Sequence, residues 1–380
     1  MPTDNLQLRL KKRFFQWQND ITPCLRIWFD ILTPKQVLFF QPAIKLLRSS
    51  GHQVFVTSRQ YWEAVELAKI KKLDLTIIGS HGGADRYSKL RASASRTYEL
   101  AESVNNFSPE RAVNFSSPEG ARVAFGLGIK YIGISDSPHA EAVCRLTVPF
   151  MSRLLTPWVI PYSSWTVFGI DRKKITRYHA LDPAAWIKRT ERLEAHPEPK
   201  TPDSDNVPAP SRKTILVRLE ESKAAYIHDR RLVIDVNMID KLVDKFSSSA
   251  KVIILCRYSD QIEEMKKRFS DRAEVPDQVI DGTRLIQSSD VFIGAGGTMT
   301  TEAALLGKPT ISIAPHKFYV ETYLERIGLS RRASSPAQLL SIVRGFLTSE
   351  RLRTAQKRRA LRILNSMDDP IDKIVEAILA

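Results

Sequence analysis

Cysteine pairs, membrane-spanning runs and an export signal are all missing from this 380-residue chain. Its three cysteines lie far apart and form no Cys-x-x-Cys pair, which argues against a disulfide framework or a cysteine metal site and favours a reducing compartment. No apolar run approaches the roughly 18 residues that a transmembrane helix requires, and the N-terminus lacks the apolar core of a signal peptide. We therefore expect a cytoplasmic protein without a bound metal.

Motifs of specific nucleic-acid binding are also missing, although the chain is strongly basic. It has 57 lysines and arginines against 42 acidic residues, a formal net charge of +15. Such a charge favours acidic partners in general, including nucleotide phosphates, anionic lipid head groups and nucleic acid. Because the chain has no RNA-recognition signature, zinc-finger spacing or helix-turn-helix pattern, we predict no specific nucleic-acid partner.

The length and the pattern of apolar segments predict two α/β domains. A chain of 380 residues exceeds the size at which a single core stops growing. Short apolar segments alternate with helical ones in both halves, which indicates parallel sheets, and a proline-rich stretch separates the halves. The predicted parts are a basic N-terminal extension over 1–24, an α/β domain over 25–190, a linker or exposed loop over 191–212, a second α/β domain over 213–350, and basic C-terminal helices over 351–380.

A strand, a glycine turn and a helix occupy residues 290–309. Gly296 and Gly297 permit backbone conformations that other residues avoid and let a ligand approach the main chain closely. Thr298 is predicted to cap the helix, whose first amides suit a phosphate. Glu302 lies one turn further on the same face, where its carboxylate could accept hydrogen bonds from a ribose. The alternative is a tight corner followed by a solvated glutamate, because this is neither the dinucleotide fingerprint nor a P-loop.

This stretch resembles the second-domain signature of GT-B fold proteins, which include the lipid-linked N-acetylglucosaminyltransferase of peptidoglycan synthesis and the non-hydrolysing UDP-N-acetylglucosamine 2-epimerase. The resemblance implies that Gly296, Gly297 and Thr298 hold nucleotide phosphates and that Glu302 holds the ribose. It also implies an α/β, GT-B-like fold, in which two Rossmann-like parallel-sheet domains face a central cleft. The sugar and the acceptor would then bind on the side of residues 25–190, and the nucleotide on the side of residues 213–350.

Several further segments resemble an uncharacterised, largely archaeal family placed near these glycosyltransferases and epimerases. They are Trp28 to Asp30, Phe39 to Pro42, Ser80 to Gly83, Ser135 to His139, Val217 to Tyr226, and Gly296 to Glu302. In the peptidoglycan transferase, a histidine in the first strand-to-helix loop lies near the reacting groups. The corresponding loop here offers Lys35 and Gln36, so the identity of the base does not carry over.

Polar side chains at the ends of predicted strands are the candidates for chemistry, because ligands of such sheets bind beyond the carboxyl ends of the strands. Four of them could act as acid or base toward a sugar or an acceptor: Asp30, His81, Asp136 and His139. Each could instead be a solvated loop residue. In the second half, Arg218 and Arg257 end strands where they could counter the charge of a diphosphate.

The function predicted from these patterns is an inverting glycosyltransferase that uses a nucleotide-activated sugar and no further cofactor. The alternatives are a nucleotide-sugar 2-epimerase and a nucleotide-sugar-binding protein without turnover. The acceptor would be lipid-linked or a glycan. Basic segments at both ends, one with Leu10, Phe14 and Trp17, could contact an anionic membrane at its inner face. They could equally dock on the protein itself or be solvated.

Overall fold

The computed structural model describes residues 24–83, 85–195, 212–220, 236–314 and 317–380, and for residues 190–195 the backbone alone. The predicted N-terminal extension up to residue 23 and residues 196–211 of the predicted linker lie outside this description. Residues 191–195 are not linker, because they form the end of a helix that reaches Ala195.

The first half contains a seven-stranded sheet in which all neighbouring strands pair in parallel, in the order β3-β2-β1-β4-β5-β6-β7. The strands are β1 (Arg26–Asp30), β2 (Gln53–Gln60), β3 (Thr76–Ser80), β4 (Arg111–Asn114), β5 (Lys130–Ile134), β6 (Arg153–Pro157) and β7 (Ile175–Tyr178). The α-helices of this half are α1 (Pro34–Ser49), α2 (Trp62–Ile70), α3 (Arg86–Phe107), α4 (Pro118–Gly126), α5 (Glu141–Thr147), α6 (Ser163–Thr166) and α7 (Ala184–Ala195). Short 3-10 turns occupy Val148–Phe150 and Arg172–Lys174.

The second half contains a five-stranded parallel sheet in the order β12-β11-β10-β8-β9. Its strands are β8 (Lys213–Arg218), β9 (Ala250–Leu255), β10 (Val291–Gly294), β11 (Thr310–Ser312) and β12 (Arg331–Arg332). The helices are α8 (Val236–Phe246), α9 (Ser259–Phe269), α10 (Gly282–Ser288), α11 (Thr298–Leu305), α12 (Tyr319–Arg326), α13 (Pro336–Thr348), α14 (Glu350–Ser366) and α15 (Pro370–Leu379). The predicted pair of parallel-sheet domains is confirmed.

The last helix returns to the first half, so the C-terminal helices do not form one separate unit. Helix α14 packs on α11 and α13 of the second half, whereas α15 packs on α1 and α7. Arg189 forms an ion pair with Asp369 at 2.8 Å, and Arg111 Nε donates to the carbonyl of Ile378 at 3.2 Å. The apolar face of α15 completes a core shared with α1. The last helix therefore ties the second half to the first.

The structure describes no helix that could cross a membrane. None of the helices in the described part of the chain combines the length and the apolar content that spanning a bilayer requires.

Candidate functional site

A cavity of about 490 Å³ lies between the two halves, at the carboxyl ends of both sheets. Its volume falls in the range of pockets that bind small molecules. The loops after β1, β4 and β5 line one side, and the loops after β8, β9 and β10 line the other. This is where ligands bind in open α/β sheets, and it is the predicted central cleft.

The glycine turn after β10 forms part of the cavity wall. Gly296 and Gly297 have φ angles of +94° and +79°, in the left-handed region that favours glycine. Gly297 is the N-cap of α11, and Thr298 is its first helical residue. The prediction that Thr298 caps the helix is therefore wrong by one position, because the positive φ of Gly297 turns the chain one residue earlier. All three residues face the cavity, where the resemblance placed phosphates.

A buried glutamate, Glu321, holds this turn in shape. Its Oε1 accepts a hydrogen bond from the Gly297 amide at 3.2 Å, and its Oε2 accepts one from the Phe318 amide at 3.4 Å. A Cβ on Gly296 would lie 2.1 Å from Oε1, so this contact requires glycine. Burial raises the pKa of Glu321, although the two amides lower it. The turn is thus fixed without a ligand.

Glu302 lies one turn along α11 and is only 2% exposed, so it is not the solvated helix residue of the alternative interpretation. Trp186 Nε1 donates to its Oε1 at 2.8 Å, and the Thr283 hydroxyl donates to the same oxygen. Both hydrogen bonds that the carboxylate of Glu302 accepts from the described residues therefore end on Oε1. Burial raises the pKa of this carboxyl. Glu302 also borders the cavity.

Arg218 and Arg257, at the carboxyl ends of β8 and β9, line the cavity opposite the first half. Arg218 Nη1 donates to the carbonyl of Cys256 at 2.8 Å, which orients the guanidinium. Glu63 of α2 approaches both arginines, at 3.5 Å from Arg218 Nη2 and 3.7 Å from Arg257 Nε. The two predicted phosphate-binding cations therefore share one wall of the cleft.

Asp30 does not line the cavity, in contrast to the prediction that it faces the sugar. It is 1% exposed, and Arg96 Nη2 and Nη1 donate to its Oδ1 and Oδ2 at 2.6 and 3.1 Å. Thr57 donates to Oδ1 at 2.8 Å and Ser117 to Oδ2 at 2.7 Å. Burial alone would raise the pKa of Asp30, but Arg96 and the two hydroxyls hold it below its ordinary value. Both oxygens are occupied, so we assign this residue to structure.

His81 is exposed and lies outside the cavity lining. Its ring stacks on Tyr61 with a centroid distance of 5.3 Å, and its Nδ1 accepts from the Gly83 amide at 3.1 Å. Partial desolvation and the cations Arg59, Lys89 and Arg257 lower its pKa to about 4. The neutral imidazole therefore sits at the edge of the cleft, away from the other candidate bases.

Asp136 lines the cavity as predicted, within a cluster whose other members were not predicted. Lys35 Nζ lies 2.6 Å from Asp136 Oδ2 and 2.7 Å from Asp182 Oδ2, and Tyr178 donates to Asp182 Oδ1 at 2.5 Å. A second, smaller cavity joins this cluster to Thr298 at the start of α11. The acid and base groups of the first half therefore lie beside the glycine turn of the second.

The environment drives the two carboxyl pKa values of this cluster apart. Burial would raise the pKa of Asp136, but Lys35 holds it below its ordinary value. Burial raises the pKa of Asp182 to about 6; Lys35 opposes this rise, and the charge of Asp136 adds to it. Such a separation is typical of acid and base pairs in active sites.

His139 also lines the cavity, where it bridges the two halves. Its ring stacks on Phe318 of the second half with a centroid distance of 3.8 Å and an interplanar angle of 19°. Asp136 and His139, three residues apart after β5, are thus the two predicted acid or base residues that the structure brings to the cleft.

The family follows from a match over residues 25–380 to "Protein of unknown function (DUF354)". The chain belongs to this family. A relative, the Uncharacterized protein MJ0665 of Methanocaldococcus jannaschii, is 29% identical over 305 residues, which cover 79% of this chain and 85% of the relative. The predicted membership of an uncharacterised family with archaeal members is confirmed.

Solved structures with similar folds include UDP-GlcNAc 2-epimerases and glycosyltransferases. UDP-GlcNAc 2-epimerase from Neisseria meningitidis, bound to UDP-GlcNAc, matches 93% of this chain and 100% of its own with a TM-score of 0.69 at 14% identity. The S. aureus MnaA-UDP co-structure matches 93% of this chain and 96% of its own, with a TM-score of 0.70 at 14% identity. The glycosyltransferase SnogD from Streptomyces nogalater matches 94% of this chain and 100% of its own, with a TM-score of 0.58 at 17% identity. At these identities the likeness establishes the fold, and the GT-B-like prediction is confirmed.

Sequence reasoning missed Asp182, Lys35, Glu63 and Glu321 as parts of the site. A signal existed for two of them: Lys35 lies in the loop after β1, and Asp182 follows β7, so both lie at the carboxyl edge of the first sheet. Nothing local marked Glu63 or Glu321, which are helix residues. Among the described residues, no three His, Cys, Asp or Glu side chains come together as a metal site would require.

Proposed function

We propose that this protein binds a nucleoside-diphosphate sugar in the cleft and transfers the sugar to an acceptor. One observation carries the proposal: a buried carboxylate, Glu302, is oriented by Trp186 and Thr283 and lies one helical turn beyond the positive-φ glycine turn. Glu302 Oε2 would accept hydrogen bonds from the ribose. The amides of Gly297 and Thr298 and the positive end of α11 would face the phosphates. The UDP and UDP-GlcNAc named with similar structures support a nucleotide ligand in this fold.

Arg218 and Arg257 would stabilise the leaving diphosphate. Negative charge develops on the bridging oxygen as the bond to the sugar breaks, and fixed cations at that position lower the barrier. Both arginines line the cavity: Arg218 is the last residue of β8, and Arg257 lies in the loop after β9.

The first half would supply the base that removes a proton from the acceptor hydroxyl. Asp136 and His139 line the cavity on this side, whereas Asp30 and His81 do not. The lowered pKa of Asp136 keeps it ionised at neutral pH, and Lys35 holds it in place at 2.6 Å. We therefore propose Asp136 or His139 as the general base of an inverting transfer.

A nucleotide-sugar 2-epimerase is the second candidate, and the Lys35, Asp136 and Asp182 cluster favours it. An epimerase needs an acid and a base near the sugar and no acceptor, and this cluster offers both within hydrogen-bond distance of one lysine. The products separate the two candidates. Transfer releases a nucleoside diphosphate and a glycosylated acceptor, whereas epimerisation returns an isomeric nucleotide sugar.

The acceptor and the place of the reaction follow from charge in this proposal. Helix α14 exposes Arg351, Arg358 and Arg362, and such cations favour an anionic surface. We propose a cytoplasmic enzyme that meets a lipid-linked or glycan acceptor, with peripheral contact at the inner face of the membrane. A nucleotide-sugar-binding protein without turnover would show the same binding and no product.

A matched pair of glycine substitutions tests the nucleotide site. Gly297→Ala and Gly51→Ala each place a Cβ at a positive φ, +79° and +85°, with no atom within 4 Å of it. Gly297 also has a ψ of −163°, a conformation almost restricted to glycine, so its substitution should cost about 1–3 kcal/mol, and each ligand shift is measured against the unliganded Tm of the same variant. The Gly297 methyl would occupy the space of the phosphate, whereas Gly51 lies in a distant turn after α1. A thermal-shift panel of UDP, GDP, CDP and dTDP sugars should stabilise the wild type and Gly51→Ala, by about 2.7 kcal/mol at a hundredfold excess over the dissociation constant, but not Gly297→Ala. Equal shifts in both variants, or none in the wild type, would refute the site.

A further inference from the structure

A contact between the two halves places a carboxylate on the two arginines of the cleft. Glu63 lies in the first turn of α2, with its side chain 15% exposed. Its Oε1 approaches Arg218 and its Oε2 approaches Arg257. Tyr61 donates to the same Oε2 at 2.8 Å and accepts from Arg257 Nε at 3.2 Å. A carboxylate of the first half thus neutralises the cationic wall of the second.

The geometry of this contact is that of an ion pair that can be displaced. Its N to O distances of 3.5 and 3.7 Å exceed the 2.7–2.9 Å typical of a charge-assisted hydrogen bond. One carboxylate is shared between two guanidinium groups, so neither receives a parallel pair of hydrogen bonds. A diphosphate carries more charge and more acceptor oxygens than Glu63, so it can accept hydrogen bonds from both guanidinium groups.

The two arginines also repel each other. Arg218 ends β8, Arg257 lies just beyond the end of the neighbouring parallel strand β9, and their side chains are 17% and 19% exposed. Burial lowers the pKa of Arg218, Glu63 raises it, and Arg257 lowers it further, with the net direction downward. A dianionic group would therefore be held more strongly by this pair of arginines than the single carboxylate of Glu63 is.

We infer that Glu63 is an internal competitor for diphosphate, which holds Arg218 and Arg257 in the ligand-free protein and must leave them when a diphosphate binds. The inference rests on the proposed function for the position of the diphosphate. The two equilibria are linked. The contact of Glu63 with the arginines lowers the affinity for diphosphate by a certain factor, and bound diphosphate weakens that contact by the same factor. Glu63 would thereby favour release of the nucleoside diphosphate, a step that often limits turnover.

Inorganic pyrophosphate is the probe that tests this inference, because it carries the charge without the nucleoside. We would titrate it by calorimetry into the full chain as wild type, Glu63→Gln and Glu66→Gln. Glutamine keeps the shape of Glu63 and a hydrogen-bond acceptor for Tyr61 but removes the competing charge, so affinity should rise about tenfold. Glu66 lies one turn further on the same helix and pairs with Lys69 at 2.7 Å, so Glu66→Gln should bind as the wild type does.

Equal pyrophosphate affinity in the wild type and Glu63→Gln would overturn the inference, as would the lack of binding to all three proteins. Neither result decides the proposed function, which the nucleotide-sugar panel tests separately. If nucleotide sugars bind while Glu63→Gln has no effect, the proposed function stands and the competitor does not. If Glu63→Gln tightens pyrophosphate while no nucleotide sugar binds, the competitor stands and the proposed function fails.

Discussion

Replacing Asp30 by asparagine should destabilise the protein without acting on chemistry. The substitution leaves Arg96 charged, 1% exposed and without its main counter-ion. Breaking a buried ion pair from one side typically costs about 3–5 kcal/mol. Glu119 Oε2, at 3.7 Å from Arg96 Nη1, compensates part of the charge, so we expect about 3 kcal/mol. For a domain of this size that corresponds to a fall in Tm of about 6–12 °C.

Differential scanning calorimetry at several pH values is the assay, with exposed Asp74→Asn as the matched control. The pKa of Asp30 is lowered in the folded state from an ordinary value of 3.8. Its stabilisation is therefore fully present above about pH 4 and is lost as pH falls through the lower, folded pKa. The gap in Tm between wild type and Asp30→Asn should be constant from pH 6 to 8 and shrink in acid. Substituting Arg96→Met as well should recover part of the loss. An unchanged Tm with lost turnover would instead make Asp30 catalytic and refute the structural assignment.

Two further predictions concern the cleft. The substitution Trp186→Phe removes the Nε1 donor that lies 2.8 Å from the carboxylate of Glu302. A hydrogen bond to a charged group contributes about 1.5–3 kcal/mol, so we expect nucleotide affinity, measured by calorimetry, to fall tenfold or more. Trp158→Phe, outside the cavity lining, should leave it unchanged, and a similar loss in both would remove Trp186 from the site. Asp182→Asn removes a carboxyl group whose pKa in the folded protein is raised to about 6. Such a group stabilises the fold at a pH below its pKa in the unfolded chain, and this stabilisation is lost as the pH rises through 6. The wild type should therefore lose up to about 3 kcal/mol relative to Asp182→Asn between pH 4 and 7, and parallel pH curves of stability would contradict the shifted pKa.

Local patterns predicted the elements of the fold but not how they meet. Residues 290–309 were expected to form a strand, a glycine turn and a helix, because short apolar segments next to glycines have few other solutions, and β10 and α11 lie within this stretch. The helix start at Thr298 was misassigned as a cap because a positive φ at Gly297 is not readable from residue type alone. The apolar face of α15 predicts burial, but nothing in its sequence says that it packs on α1 in the other half. Such pairings are set by tertiary packing.

The candidate site was predicted where function depends on backbone conformation and missed where it depends on distant pairs. Gly296 and Gly297 are recognisable because only glycine fits their positions. Asp30 looked available because its partner, Arg96, comes 66 residues later on a helix whose local sequence is polar. Asp182 looked unremarkable because its raised pKa arises from burial and from the charge of Asp136, against the opposing charge of Lys35, and these conditions exist only in the folded protein.

The placement of the donors, rather than burial, distinguishes Glu302 from the two structural carboxylates Asp30 and Glu321. Asp30, Glu302 and Glu321 are all nearly inaccessible, at 1%, 2% and 4% exposure. Both oxygens of Asp30 are filled by side chains of its own domain, and those of Glu321 by two backbone amides. Both side-chain donors to Glu302 among the described residues are instead placed on Oε1, and Glu302 borders the cavity. Burying a hydrogen-bond acceptor without a donor costs free energy. A carboxylate whose donors all lie on one oxygen, beside a cleft, is therefore the arrangement expected of a site in which the ligand supplies the remaining donor.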